Sequence, residues 1–153
     1  MTGRAAQGST ASPPEAGSGD DITIRSVSGE DELELCVRMQ HEIWGETYSG
    51  TVPTVILSLS QKLGGVVAGA FDAQGRMLGF VFGMTGLMDG ALVHWSDMLA
   101  VDASVRDRGI GRRLKHFQRD MRRAIGIRKR EWQYDAHVAR NASRDVEQVG
   151  GAA

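Results

Sequence analysis

The sequence has 153 residues, which is enough for one domain with a sizeable core. Its formal net charge is −1, so the chain as a whole is neither strongly basic nor strongly acidic. A single cysteine, Cys36, excludes an intrachain disulfide, and its place in an apolar helical pattern favours a buried hydrophobic side chain over a nucleophile. No apolar run is long enough to span a membrane, and the N-terminus lacks the apolar core of a signal sequence, which together predict a cytoplasmic protein.

The first part of the chain predicts a tail, a strand and two helices. Residues 1–20 are rich in Gly, Ser, Ala and Pro, and this composition predicts a disordered tail. Alternating apolar side chains over residues 21–27 predict a first strand. Ser28 and the acidic turn after it begin a helix that Gly45 closes, and a second helix follows over residues 54–63.

Three further strands predict an antiparallel meander. They cover residues 66–71, 77–84 and 91–101, and an Asp-Ala-Gln-Gly turn and an Asp-Gly turn separate them. After a basic helix, residues 131–137 predict another strand and residues 139–149 predict a short last helix. The predicted order is therefore β, α, α, β, β, β, α, β, α.

A glycine-rich turn joins the longest strand to the basic helix. Arg106, Gly109 and Gly111 form the pattern R-x-x-G-x-G at this turn. Unpaired backbone N–H groups and the helix dipole favour an anion at a helix start, and glycine lets a phosphate approach the backbone closely. The helix is predicted from an apolar stripe at helical spacing, which consists of Ile110, Leu114, Phe117 and Met121.

The positive charge of the chain is concentrated at and after this turn. Eleven of the 18 Lys and Arg residues lie between residues 106 and 130, where only two aspartates oppose them. Such a patch attracts a polyanion, either a nucleic acid or a phosphate-bearing small molecule. A solvated helix face explains Arg119, Arg122 and Arg123 without any ligand.

Two familiar phosphate motifs do not fit the turn. The chain contains no G-x-x-x-x-G-K-[ST], so a P-loop is unsupported. A dinucleotide fingerprint requires a third glycine where Leu114 stands. A helix start with two turn glycines and no ligand remains the structural alternative.

The turn and the strand before it resemble the GNAT superfamily of acyl-CoA-dependent N-acyltransferases. Arg106-x-x-Gly109-x-Gly111 is similar to the R/Q-x-x-G-x-G/A signature of that family, and the preceding Leu-Ala-Val-Asp is similar to the strand end before the signature. The resemblance implies an α/β (α+β) fold with a mixed, mostly antiparallel sheet flanked by helices. In that fold strands 91–101 and 131–137 splay apart, and the acyl-CoA arm enters between them.

The resemblance also implies a set of contacts to acetyl-CoA or another acyl-CoA, with no metal. Backbone groups at the end of the splayed strand would hold the pantetheine arm and polarise the thioester carbonyl. The pyrophosphate would bind amides of the turn, where two arginines add charge. The implied cofactor-binding residues are Leu99, Ala100, Val101, Arg106, Asp107, Arg108, Gly109, Ile110, Gly111, Arg112 and Asn141.

His94 and Asp97 are the two catalytic candidates for the base that takes a proton from the attacking amine. A histidine ordinarily titrates near neutrality, whereas an aspartate would need a relaying water or an unusually basic carboxylate. A bulge, common at this strand in the family, would exchange the faces of the strand midway. Each residue can also be a satisfied structural polar group. The tyrosine that protonates the leaving thiolate in many members is absent near Gln148, and Tyr134 is a poor substitute.

The resemblance places the amine acceptor near Glu42 and residues 44–48, between the first two helices, although core packing explains Trp44 more readily. Members of the family usually continue with one or two further strands. We therefore expect a single domain over residues 21–153 that is incomplete at its C-terminus. The sheet edge left by the missing strands could support a homodimer.

Three functions remain open from the sequence. The first is an N-acyltransferase that moves an acetyl or other acyl group from acyl-CoA to an amine. The absent tyrosine and strands favour a second, a catalytically inactive acyl-CoA-binding remnant or regulatory module. A nucleic-acid-binding module is the third, and it is disfavoured because only Phe117 and Trp132 supply stacking side chains near the basic helix.

Overall fold

The computed structural model describes residues 21–128 and 130–132, and for the last three it describes the backbone alone. The predicted tail, the end of the last strand, the last helix and Asn141 lie outside these residues. The helices and strands are β1 (Thr23–Ser26), α1 (Gly29–Trp44), α2 (Thr54–Lys62), β2 (Val66–Phe71), β3 (Met77–Met88), β4 (Ala91–Val101), α3 (Ile110–Ala124) and β5 (Arg130–Trp132). None of the helices in this part of the chain is long and apolar enough to cross a membrane.

The strands form one sheet in the order β1-β2-β3-β4-β5. The first four strands are antiparallel neighbours, whereas β5 lies parallel to β4. Asp89 and Gly90 have φ angles of 51° and 78°, as a tight hairpin turn between β3 and β4 requires. The prediction of a mixed, mostly antiparallel sheet flanked by helices is confirmed, and β3 runs to Met88, four residues further than predicted.

Two apolar clusters fill the space on the two faces of the sheet. Both owe their composition to the alternation of side chains along the strands. The cluster beneath α1 and α2 consists of Val27, Leu33, Cys36, Met39, Leu57, Val67, Phe71, Met77, Phe80, Phe82, Met98 and Ala100. The cluster beneath α3 consists of Val66, Ala68, Ala70, Leu78, Val81, Leu99, Val105, Ile110 and Leu114.

Cys36 lies in the first of these clusters with no exposed surface. Burial raises the pKa of its thiol to about 12. A thiol that is buried and protonated is a poor nucleophile, because the thiolate is the reactive form. The interpretation of Cys36 as a small buried hydrophobic residue is therefore confirmed.

The buried face of α3 differs from the predicted apolar stripe. Ile110 and Leu114 are buried as predicted, but the face continues through Gln118 and Arg122. Met121 is 39% exposed, so its assignment to the stripe is wrong. These four residues follow the spacing i, i+4, i+8 and i+12, and Lys115 is buried beside them, so three polar side chains of α3 are buried where the sequence suggested apolar ones.

Arg122 is also buried, which contradicts its predicted place on a solvated helix face. Its Nη1 donates hydrogen bonds to the carbonyl oxygens of Ile127 and Arg128, at 3.0 and 2.8 Å. Burial, followed by the charges of Arg123 and Arg119, lowers the pKa of this guanidinium. Arg122 therefore ties the end of α3 to the segment that leads into β5.

Replacement of Arg122 by alanine should lower the free energy of unfolding by about 1–3 kcal/mol, because two carbonyl groups lose their donor. Urea unfolding at pH 7 measures this loss. The adjacent and exposed Arg123 supplies the control, since Arg123→Ala should change stability by less than about 0.5 kcal/mol. Equal stabilities of the two variants would contradict the role assigned to Arg122.

Candidate functional site

A bulge interrupts β4 at Asp97. Met98 pairs with Phe82 on β3 and Ser96 pairs with Gly83, so Asp97 is the extra residue between two consecutive pairs. The bulge exchanges the two faces of the strand. Before it, Ser96 faces α3, and after it Met98 packs into the cluster beneath α1 and α2.

Beyond the bulge, the outer edge of β4 has no neighbouring strand among the residues that the structure describes, and we call it the open edge. β5 pairs only with His94–Ser96, and no strand within the described ranges pairs with residues 97–101 on that side. The Asp102 N–H donates to the Leu78 carbonyl at 2.8 Å. Asp102 and Leu78 therefore form a hydrogen-bonded pair, and such pairs alternate with non-bonded pairs along an antiparallel ladder. The main-chain N–H and C=O groups of Ala100 thus point toward β3, whereas those of Leu99 and Val101 point outward. Of the three predicted backbone contacts, two therefore lie on the open edge.

Asp102 fixes the turn that follows β4. Its carboxylate accepts hydrogen bonds from the Ser104 N–H at 2.8 Å and from the Ser104 hydroxyl at 2.7 Å. It also forms an ion pair with Arg76 at 3.0 Å. The bonds from Ser104 and the nearby guanidinium hold the pKa of Asp102 below its usual value. The chain is thereby held as it leaves the sheet for the glycine-rich turn.

The substitution Asp102→Asn keeps the shape of this cap and removes its charge. Because the folded state lowers the pKa of this carboxyl, the charge adds stability above the ordinary aspartate pKa, and this stability is lost as the pH falls through the lowered value. We expect the variant to be about 0.5–1 kcal/mol less stable at pH 7, with the difference shrinking below about pH 4. Thermal unfolding at pH 7 and at pH 3 measures both values.

The control for this prediction is Glu46→Gln, which removes an exposed loop carboxylate and should leave stability unchanged at both pH values. A difference between wild type and Asp102→Asn that stayed constant from pH 7 to pH 3 would contradict the electrostatic explanation.

The glycine-rich turn presents backbone amides at the start of α3. The Val105 N–H donates to the Asp102 carbonyl, and the next backbone donor into this turn is the Arg113 N–H, which bonds to the Gly109 carbonyl at 3.1 Å. The first-turn amides of Ile110, Gly111 and Arg112 have no acceptor within the helix. They are therefore available to an anion at the helix start.

Gly109 caps α3 in the left-handed conformation, with a φ of 73°. A Cβ at this position would meet no atom within 4 Å, so the backbone conformation, and not a lack of room, requires glycine here. The side chains of Arg106, Arg108 and Arg112 are exposed around the turn. Amides and positive charge thus converge at one place, next to the open edge of β4.

The structure separates the two candidate bases. His94 is fully buried between β4 and α3, and its ring nitrogens lie 2.9 Å from Gln118 Nε2 and 3.3 Å from Thr85 Oγ1. Asp97 is partly exposed at the bulge, where the open edge of β4 begins. The surroundings of His94 are those of a structural polar residue, whereas Asp97 lies beside the candidate site.

A cavity of about 800 Å³ lies between α1 and the start of α2. Its lining includes Glu42, which the sequence placed near an acceptor, and also His41, which it missed. The buried His41 Nδ1 has no hydrogen-bond partner within the described part of the chain. Trp44 packs against the apolar cluster with its ring 5.6 Å from that of Tyr48, so the prediction of core packing is confirmed.

The comparisons with known proteins agree with this geometry at the level of the fold. No protein-family model and no curated protein sequence matches the chain. An acetyltransferase of Trypanosoma brucei is similar in structure, with a TM-score of 0.66 at 20% identity, over 87% of this chain and 94% of that one.

Two aminoglycoside acetyltransferases are similar as well. One, from an uncultured soil metagenomic sample in complex with sisomicin, has a TM-score of 0.66 at 16% identity, over 86% of this chain and 88% of that one. The other, in complex with CoA, has a TM-score of 0.64 at 16% identity, over 84% of this chain and 86% of that one. The chain therefore has the fold of the GCN5-related N-acetyltransferases, the GNAT fold.

Proposed function

We propose that the chain is an N-acyltransferase that moves an acyl group, in the simplest case acetyl, from acyl-CoA to an amine. The observation that carries this proposal is the junction of two stretches of backbone whose outward groups have no main-chain partner among the described residues. The first-turn amides of α3 follow the open edge of β4 after one short turn, and Arg106, Arg108 and Arg112 are exposed in this turn and at the start of α3. This is the arrangement that a diphosphate joined to an amide-bearing arm would fill.

In this proposal the pyrophosphate of the cofactor binds the amides of Ile110, Gly111 and Arg112, and Arg106 and Arg108 add charge-assisted contacts. The amides of the pantetheine arm pair with the outward main-chain groups of Leu99 and Val101, as an added strand would. A donor at this edge polarises the thioester carbonyl and stabilises the negative charge that develops on its oxygen.

Asp97 is our candidate for the base. The amine nitrogen attacks the thioester carbon, the new C–N bond forms as the C–S bond breaks, and the sulfur leaves as the thiolate of CoA. The proton lost by the nitrogen passes to the Asp97 carboxylate, directly or through one water. No residue is assigned to the protonation of the thiolate, which can take its proton from solvent.

The acceptor approaches, in this proposal, from the side of the cavity between α1 and α2. Glu34, Glu42 and Glu46 line that cavity together with Arg38 and His41. Several carboxylates favour an amine that binds as its ammonium ion, which loses one proton to solvent before the neutral nitrogen attacks. Because a structurally similar acetyltransferase is known in complex with sisomicin, amino sugars belong in the panel of acceptors alongside simple amines and peptide amines.

Two measurements test the proposed function. Isothermal titration with CoA, and with tripolyphosphate as a control for charge alone, measures the cofactor site. The release of free CoA from acetyl-CoA in the presence of each amine then measures transfer. Absence of CoA binding would overturn the proposal, and binding without transfer to any amine would favour the non-catalytic acyl-CoA-binding module instead.

A further inference from the structure

We propose that Gln118 of α3 is a positioning residue that holds the bulge of β4 in place, and with it Asp97 and the open edge beyond. This inference rests on the proposed function for its meaning, but its structural part can be tested separately. Gln118 is only 1% exposed and lies beneath the strand, where the predicted stripe would have placed an apolar side chain.

Gln118 is the centre of a buried chain of hydrogen bonds between α3 and the sheet. Lys115 Nζ donates to Ser96 Oγ at 2.6 Å, and that hydroxyl donates to Gln118 Oε1 at 3.1 Å. Gln118 Nε2 lies 2.9 Å from His94 Nε2, and His94 Nδ1 lies 3.3 Å from Thr85 Oγ1. The chain ends where the Thr85 hydroxyl donates to the Gly64 carbonyl at 2.8 Å.

The donors and acceptors of these buried hydrogen bonds allow only one assignment of the protons. Because the Thr85 hydroxyl donates to Gly64, its oxygen accepts from His94 Nδ1–H. His94 Nε2 then carries no proton and accepts from the Gln118 amide, while Gln118 Oε1 accepts from the other side. Each member therefore depends on its neighbours, and the loss of Gln118 would leave buried groups unsatisfied on both sides.

Gly83 on β3 makes room for the hydrogen bond between Gln118 and His94, which is the central bond of the series. A Cβ at Gly83 would overlap both His94 Nε2 and Gln118 Nε2. Glycine in a strand interior normally weakens the strand, so a specific use is expected at such a position. Gly83 pairs with Ser96, the last residue before the bulge, so the space that it leaves lies directly next to the irregularity in β4.

The buried hydrogen bonds reach the strand β4 directly beside the bulge, so they affect the candidate site. Ser96 is the last residue of β4 that pairs with β5, and Asp97 is the extra residue immediately after it. The bond that Ser96 accepts from Lys115 and the bond that it donates to Gln118 fix the register at which the bulge occurs. A one-residue slip would turn the main-chain groups of Leu99 and Val101 away from the open edge.

Three single variants of the full chain test this inference. Gly83→Ala closes the space for the central bond, and Gln118→Met removes both polar ends with little change in shape. Gly86→Ala is the matched control on the same strand, because a Cβ there meets no atom within 4 Å. The readouts are amide hydrogen exchange at residues 97–101 and the dissociation constants of CoA and of 3′,5′-adenosine diphosphate, measured below the melting temperature of each variant.

For Gly83→Ala and Gln118→Met we expect exchange at residues 97–101 to be about tenfold faster, and the affinity for CoA to fall about tenfold. The affinity for 3′,5′-adenosine diphosphate, which keeps the phosphate next to the ribose but lacks the second phosphate of the pyrophosphate and the arm, should change by less than about twofold because the turn at α3 is intact. A purely structural role would leave the ratio of the two affinities unchanged.

Gly86→Ala should behave like the wild type in every readout. If Gln118→Met matched Gly86→Ala in exchange and in the affinity ratio, the positioning role would be wrong, whether or not Gly83→Ala folds. If the wild type bound neither probe, the proposed function would fail, and exchange at residues 97–101 would still decide the structural part.

Discussion

The substitution Gly109→Asp should weaken CoA binding about 100-fold at a small cost in stability. Aspartate tolerates the left-handed conformation better than most residues with a side chain, and its negative charge interacts favourably with the helix dipole at the start of α3. Its carboxylate would occupy the first-turn amides and repel the pyrophosphate. We expect the dissociation constant for CoA to rise about 100-fold, while the left-handed backbone at position 109 costs only about 1 kcal/mol of stability.

Gly109→Asn provides the matched control, because asparagine has the same shape and the same tolerance of this conformation but no charge. It should weaken CoA binding less than Gly109→Asp does, through competition for the amides alone. Isothermal titration and thermal unfolding of both variants measure the two effects. Equal CoA affinity in the wild type and in Gly109→Asp would show that the turn does not bind the diphosphate.

Asp97→Asn should lower kcat by about 100-fold or more, with a much smaller change in the KM for acetyl-CoA, because the amide cannot accept the proton of the amine. His94→Leu should behave differently. It breaks a buried chain of hydrogen bonds, so it should lower the free energy of unfolding by about 1–3 kcal/mol. The two variants therefore separate a chemical role from a structural one.

Steady-state kinetics with the best amine acceptor and urea unfolding measure these effects. Asp89→Asn serves as the control, since it removes a carboxylate from the hairpin turn, far along the strands from the bulge. If Asp97→Asn kept full kcat, Asp97 would not be the base. If His94→Leu kept full stability and lost activity, His94 would regain that role in place of Asp97.

The strands and turns of this chain could be predicted well because their signals are local. The apolar run of β2 begins and ends at the predicted residues, and so does the run of β4. The Asp-Gly turn after β3 lies at its predicted position because only a few residue types adopt two positive φ angles in succession. The extra length of β3 was missed because its last residues are exposed and carry no burial pattern.

The inner face of α3 could not be predicted from the helix alone. Apolar periodicity selected Phe117, which packs partly buried against the cluster beneath α3, and Met121, which is exposed, and it missed the buried Gln118 and Arg122. Each of these two polar side chains finds its partners outside the helix, Gln118 on β4 and Arg122 in the segment before β5. A pattern within one helix contains no information about such partners, so periodicity fails where tertiary hydrogen bonds replace apolar contacts.

The candidate site also contains one feature with a local sequence signal and others that depend on distant parts of the chain. The glycine-rich turn could be predicted because its conformation depends on the backbone, and Gly109 occupies the left-handed cap of α3. The assignment of outward groups to Leu99 and Val101, and not to Ala100, depends on the register with β3, which no single stretch of sequence reveals. The choice between His94 and Asp97 likewise needed the position of the bulge and the packing of α3.

The inaccessible sulfur of Cys36 has a practical consequence for enzymology on this chain. Colorimetric reagents that form mixed disulfides with liberated CoA require a protein that does not itself consume the dye. With its only thiol held protonated in the interior, this chain should give no background colour in its native state. The same reagent should react with one thiol per chain once urea unfolds the protein. The rate of this reaction therefore provides an independent measure of global unfolding.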